Sequence, residues 1–163
     1  PLGVDESDLL LNGDCDALIT PITPRAFRER NPKIRQLFSS LKTAEQEYFR
    51  DTGIFPIMHV VAVRADMLEE MPRLANEIFR IYNEAKQAAY NNLEMTTVLR
   101  TSLPWVTEEY EETRKLMGDD YWRYGIESNR KELESIMRYT FEQGLVKRHL
   151  NFEELFHPSS LRL

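Results

Sequence analysis

The chain has 163 residues, 42% hydrophobic and 29% charged, with 21 basic against 27 acidic side chains and a net charge of −6. That length holds one ordinary core, and the composition is that of a water-soluble globular protein. The acidic balance disfavours nucleic acid as a partner, since such a surface needs clustered Lys and Arg. No stretch is long and apolar enough to predict a membrane span: residues 54–63 are the longest, and Pro56 and His59 interrupt them. The first residue is Pro1 rather than Met, so a natural start is expected upstream or removed by processing.

In chain order, residues 5–11 read as a short helix stopped by Asn12-Gly13, which accepts a left-handed turn. Lone Cys15 allows no internal disulfide and fits a cytoplasmic protein; it reads as a small buried residue beside a strand. Residues 16–19 follow as a short buried strand. Pro21 and Pro24 then force a loop, each removing an amide donor and restricting the residue before it. Residues 32–38 are a further strand candidate, and residues 43–50 read as a helix with Thr43 as N-cap and Gln46 three places on.

The run 57–63, IMHVVAV, is apolar apart from His59 and rich in β-branched residues, which predicts a strand buried on both faces. Pro56 stands at its beginning, where a missing donor does least harm. Asp66 caps a short turn, and a long helix follows from Pro72, with Leu74, Ile78, Tyr82, Ala85 and Ala89 at helical spacing, to Asn91-Asn92. Another helix starts near Pro104, carries Val106, Tyr110 and Leu116-Met117 on one face and stops at Gly118. Asn129 with Glu132 caps the next, whose inner stripe is Leu133, Ile136, Met137 and Thr140, ending at Gly144. Asn151 and Glu154 repeat the capping pattern for a last short helix stopped by Pro158. Two or three scattered strands make a poor sheet by themselves, so further strands are expected outside this sequence.

Few residues carry chemistry. His59 in mid-strand is costly to bury without a partner; it is either a core histidine bonded to a backbone carbonyl or a proton donor at a cleft. The loop with Thr20, Thr23 and Arg25 follows a strand, where ligands of α/β sheets sit, and Arg25 offers a planar fork for a carboxylate. The same loop is equally a Pro-stiffened surface connection. Thr52-Gly53 is either a plain turn or a hydroxyl and amide presented to a ligand. Trp105, Trp122 and Tyr124 line a pocket or belong to the core. His149 and His157 lack the spacing of a metal site, and no Gly-rich phosphate loop, G-x-S-x-G elbow or C-x-x-C is present. No metal or cofactor is therefore expected.

Taken together, GDCDALITPITPRAF, AEQEYFRDTGIFPIMHVVAVRADM, ETRKLMGDDYWRYGIESNRKELESIMRYTFEQGL and LNFEELFHPSSL resemble the C-terminal half of the 4,5-dihydroxyphthalate decarboxylase family. TGIFPIMH and GDDYWRYGIESNR are the specific phrases. The resemblance implies an α/β fold like the type II periplasmic-binding proteins, of which this chain would be a truncated, helix-rich part. Residues 1–49 would belong to a second lobe, 50–65 to a strand crossing between lobes, and 66–163 to the helical part of the first.

The implied reaction is the non-oxidative decarboxylation of a dihydroxylated aromatic dicarboxylate, 4,5-dihydroxyphthalate, to 3,4-dihydroxybenzoate and CO2, with His59 as proton donor and Arg25 as carboxylate clamp. Thr20, Thr23, Thr52 and Gly53 would orient the substrate by hydrogen bonds. The other reading of the same resemblance is a substrate-binding protein of an importer, in the periplasm and without catalysis. On either reading the chain is expected to be inactive alone and, with apolar surface left uncovered, to self-associate.

Overall fold

The structure, a computed structural model, describes residues 5–98 and 100–163. Eight α-helices and two 3₁₀ turns account for its regular elements, and among the described residues there is no strand and no sheet. The expected α/β, periplasmic-binding-protein-like fold is thus overturned. Residues 16–19 and 32–38 are irregular, with a bend at Asp16, a turn at Pro32-Lys33 and bends at Leu37-Phe38, and Ile19, Leu37 and Phe38 are exposed. The run 57–63 is non-helical, but among the described residues no backbone hydrogen bond joins it to another segment. Val60 is 72% exposed. β-Branched composition reports fitness for a half-buried pleated surface, and without a neighbouring ladder no strand forms.

The chain divides into two compact units, Pro1–Glu45 and Gln46–Leu163. In the first, helix α1, Glu6–Asn12, packs on α2, Arg25–Arg28. Asp5 caps α1 by accepting from the Ser7 amide, and Gly13 ends it in the left-handed conformation. Ser7 is fully buried, and its hydroxyl accepts the Ala26 amide at 3.1 Å, joining the two helices. Helix α3, Leu41–Thr52, contains the division between the units. It begins earlier than the sequence predicts, because the Ser40 hydroxyl, not that of Thr43, takes the free amide of the first turn.

In the second unit, α4 (Ala65–Glu70) packs on the long α5 (Leu74–Glu94), which also packs on α6 (Val106–Met117) and on the 3₁₀ turn Pro158–Ser160. Leu68, Tyr90, Tyr110 and Ile126 are its buried apolar residues. A 3₁₀ turn, Glu127–Asn129, leads into α7, Arg130–Glu142. The expected cap Asn129 turns its side chain away from α7 and donates to the carbonyls of Arg123 and Gly125. Ile136, expected inside, is 54% exposed, and the buried residue of this helix is Glu132. The capping box of Asn151 and Glu154 forms as predicted on α8, Phe152–Leu155, which ends before Pro158; Pro158 instead opens the 3₁₀ turn.

Candidate functional site

Each unit presents a concavity. That of the first unit, about 900 Å³, follows the loop from Thr23 through the end of α2 to Ser39. Its charged lining consists of Arg28, Arg30 and Arg35, and Phe27, Ile34, Leu37 and Phe38 supply apolar walls. No carboxylate lines it, and among the described residues none forms an ion pair with those three arginines. Arg30 holds a left-handed backbone, φ 56°, where its amide donates to the Phe27 carbonyl and the next amide to that of Ala26. A side chain in that region costs on the order of 1 kcal/mol, which glycine avoids.

Thr23 lies in this hollow, whereas Arg25 is turned to α1 and its own helix, meeting Asp8 at 2.8 Å, Glu29 at 3.3 Å and Asp5 at 3.7 Å. Hydrogen bonding from Ser7 first, and the Arg25 and Arg28 charges after it, hold the Asp5 carboxyl below its usual range. Thr20 accepts the Ile22 amide at 3.3 Å, a local turn that sends the chain outward.

The second unit brings the two specific phrases together. Thr52 ends α3 with its hydroxyl donating to the Tyr48 carbonyl at 2.6 Å and accepting the Ile54 amide at 3.1 Å, so that group is already engaged. Gly53, at φ 64°, then releases the chain into the segment that holds His59. A cleft of about 350 Å³ lies between Gly53, Arg123 and the start of α7. Lys131 Nζ donates to the Thr52 carbonyl across it. Arg123 pairs at 3.2 Å with Glu132, whose side chain is 4% exposed. Phe55 meets the edge of Trp122, with centroids 5.6 Å apart.

Trp122 is in turn held from α5. Its amide donates to the Tyr90 hydroxyl at 2.9 Å, and that hydroxyl donates to Asp120 at 3.3 Å. Lys86, its side chain only 9% exposed, pairs with the same carboxylate at 2.6 Å and lies 4.9 Å from the Tyr124 ring. Tyr121 stacks on Tyr90 with centroids 4.7 Å apart. Burial raises the Tyr90 hydroxyl well above its ordinary range, against the lowering effect of the Trp122 amide. His59 is exposed, not buried in a strand, and has no hydrogen bond among the described residues.

Sequence reasoning singled out Arg25 and passed over Arg28, Arg30 and Arg35. A signal was present: residues 25–35 hold five basic residues (Arg25, Arg28, Arg30, Lys33 and Arg35) and one acid (Glu29), a local +4 in a chain of net −6. Lys131 and Arg123 carried no such signal, because acids surround them in sequence and only the fold sets them opposite Gly53.

No protein-family model matches the chain. Its similarity is to a decarboxylase. Over 161 residues, 99% of this chain, it is 32% identical to the 4,5-dihydroxyphthalate decarboxylase of Comamonas testosteroni. The chain spans about half (49%) of that protein's length.

Proposed function

We propose that the protein carrying this chain is a carboxy-lyase that removes one carboxylate from 4,5-dihydroxyphthalate or a close analogue. The supporting observation is the 32% identity that runs through almost the entire chain to a protein of that name. A binding protein without chemistry has no comparable observation behind it.

The chemistry asks little of the protein beyond positioning and one proton. Each carboxylate of 4,5-dihydroxyphthalate stands para to a hydroxyl. Electron release from that oxygen lets the carboxylate-bearing carbon accept a proton. The carbon–carboxylate bond then breaks, its electron pair returns to the ring, and CO2 leaves with 3,4-dihydroxybenzoate. The overall change is one proton in and one CO2 out, with no oxidant or reductant.

A general acid near the carbon and cations on the remaining carboxylate are the groups required. His59 is the proposed acid, since its imidazole can donate a proton and its side chain is exposed. Thr20, Thr23 and the Thr52-Gly53 turn remain proposed substrate contacts. For Arg25 to clamp a carboxylate, the ligand would have to displace Asp8 or Glu29 from its guanidinium.

The experiment is to express the protein at its natural length with and without His59→Ala, supply 4,5-dihydroxyphthalate, and follow CO2. The parent should turn over, and the variant should lose about a hundredfold in kcat. An equal kcat in a well-folded His59→Ala protein would remove His59 from the mechanism.

A further inference from the structure

We infer that the hollow of the first unit is a binding site for a small planar aromatic dianion, held by Arg28, Arg30 and Arg35 against Phe27 and Phe38. The identity of the ligand as an aromatic 1,2-dicarboxylate rests on the decarboxylase reading. The preference for an aromatic anion rests on the hollow itself.

Three features of the hollow converge. Its volume, about 900 Å³, is in the range of small-molecule sites. Among the described residues its ionisable lining is Arg28, Arg30 and Arg35, without a carboxylate, in a segment of local charge +4 within a chain of −6. Among the described residues these three arginines form no ion pair: Arg35 donates to the Gln36 carbonyl at 3.4 Å and the Arg28 charge reaches Asp5 without contact, while the neighbouring Arg25 takes Asp5, Asp8 and Glu29. The rings of Phe27 and Phe38, the latter 52% exposed, share the lining with these cations.

A guanidinium meets a carboxylate through two parallel hydrogen bonds and also stacks on aromatic faces, so arginines with phenylalanines suit an aromatic carboxylate better than lysines would. Arg30 is held in this lining by a left-handed backbone that glycine would adopt without strain. Thr23 adds a hydroxyl to the lining.

The ligand for the test is phthalate, which has the two carboxylates but lacks the hydroxyls that decarboxylation needs. Phthalate and benzoate would be titrated into the protein at its natural length while the arginine side-chain and backbone amide resonances are followed by NMR. Saturable shifts should fall on residues 27–38, and phthalate should bind about tenfold more tightly than benzoate. Arg28→Gln and Arg35→Gln should each weaken phthalate about fivefold, the size of one exposed ion pair, while Arg28→Lys should retain part of the affinity. Absence of saturable binding, shifts confined to Gly53 and Lys131, or unchanged affinity in the glutamine variants would each overturn the assignment.

The two readings fail separately. Unchanged turnover of 4,5-dihydroxyphthalate by an Arg28→Gln, Arg35→Gln protein of natural length sinks the site and leaves the decarboxylase standing. Phthalate binding through the arginines with no CO2 release does the reverse.

Discussion

Arg30 and Gly125 show how single backbone positions reveal what a fold tolerates. Arg30 sits at φ 56°, in a conformation that most helix ends assign to glycine. Arg30→Gly should therefore raise stability by about 0.5–1 kcal/mol in urea unfolding while weakening phthalate binding. A merely structural arginine would give the first effect without the second. Gly125 is at φ 94°, and a Cβ there would stand 2.5 Å from the backbone of Leu163 and 3.3 Å from Phe79. Its neighbour Ile126 donates to the Leu163 carbonyl at 2.7 Å, so the contact cannot open without loss of that bond. Gly125→Ala should cost about 3 kcal/mol, whereas Gly144→Ala, at φ 71° with nothing within 4 Å, should cost about 1. Similar costs at the two sites, measured by chemical denaturation, would contradict the packing of Leu163 on Gly125.

Among the elements, the turn before α7 depends on α5 through one hydroxyl. Tyr90→Phe removes the acceptor of the Trp122 amide and should destabilise the second unit by about 1–2 kcal/mol, with Trp122 fluorescence shifting as the ring loses its seat. The sign of the pH dependence follows from burial, which raises the Tyr90 hydroxyl above its ordinary value of 10.0. A group with a raised folded value contributes stability that is complete below the unfolded value and lost as pH rises through the folded one. Alkaline unfolding above about pH 10 should therefore be less steep in Tyr90→Phe, and equal steepness would separate Tyr90 from it.

The same elements show what the sequence disclosed. Helix ends were legible where one residue decides them: Gly13 on α1, Gly118 after α6, Asn151 with Glu154 on α8. These are local matters of capping and φ. The absence of strands was not legible, because residues 57–63 form a strand only if a ladder neighbour exists, and that is a non-local fact. Asn129 misled for a related reason: its side chain had two competing uses, and the Arg123 and Gly125 carbonyls took it. Of the candidate site, Thr52-Gly53 was legible as a turn, one of the two readings the sequence left open. The hollow's arginines were visible only as an uninterpreted basic run.

For the whole molecule, an unladdered segment 57–63 predicts association. Met58, Val60 and Val61 are 64%, 72% and 55% exposed, and a β-prone, nearly uncharged segment of this kind pairs readily with another chain. We expect light scattering to show mass rising with concentration, and Val60→Lys to suppress the rise while changing stability by less than about 0.5 kcal/mol. A monomer at all concentrations, or a strongly unfolded Val60→Lys chain, would mean that the segment is covered. The acidic net charge of −6 opposes association weakly, so the effect should grow with added salt.

Function also belongs to this scale, because the chain spans about half of the decarboxylase it resembles. The most direct measurement supplies 4,5-dihydroxyphthalate to the protein at its natural length in deuterium oxide, following CO2 and the aromatic product together. The expected result is stoichiometric CO2 and 3,4-dihydroxybenzoate with one deuterium on the ring carbon that lost its carboxylate. Substrate recovered unchanged from a folded protein that binds phthalate would contradict decarboxylation and leave a protein that holds aromatic acids without transforming them.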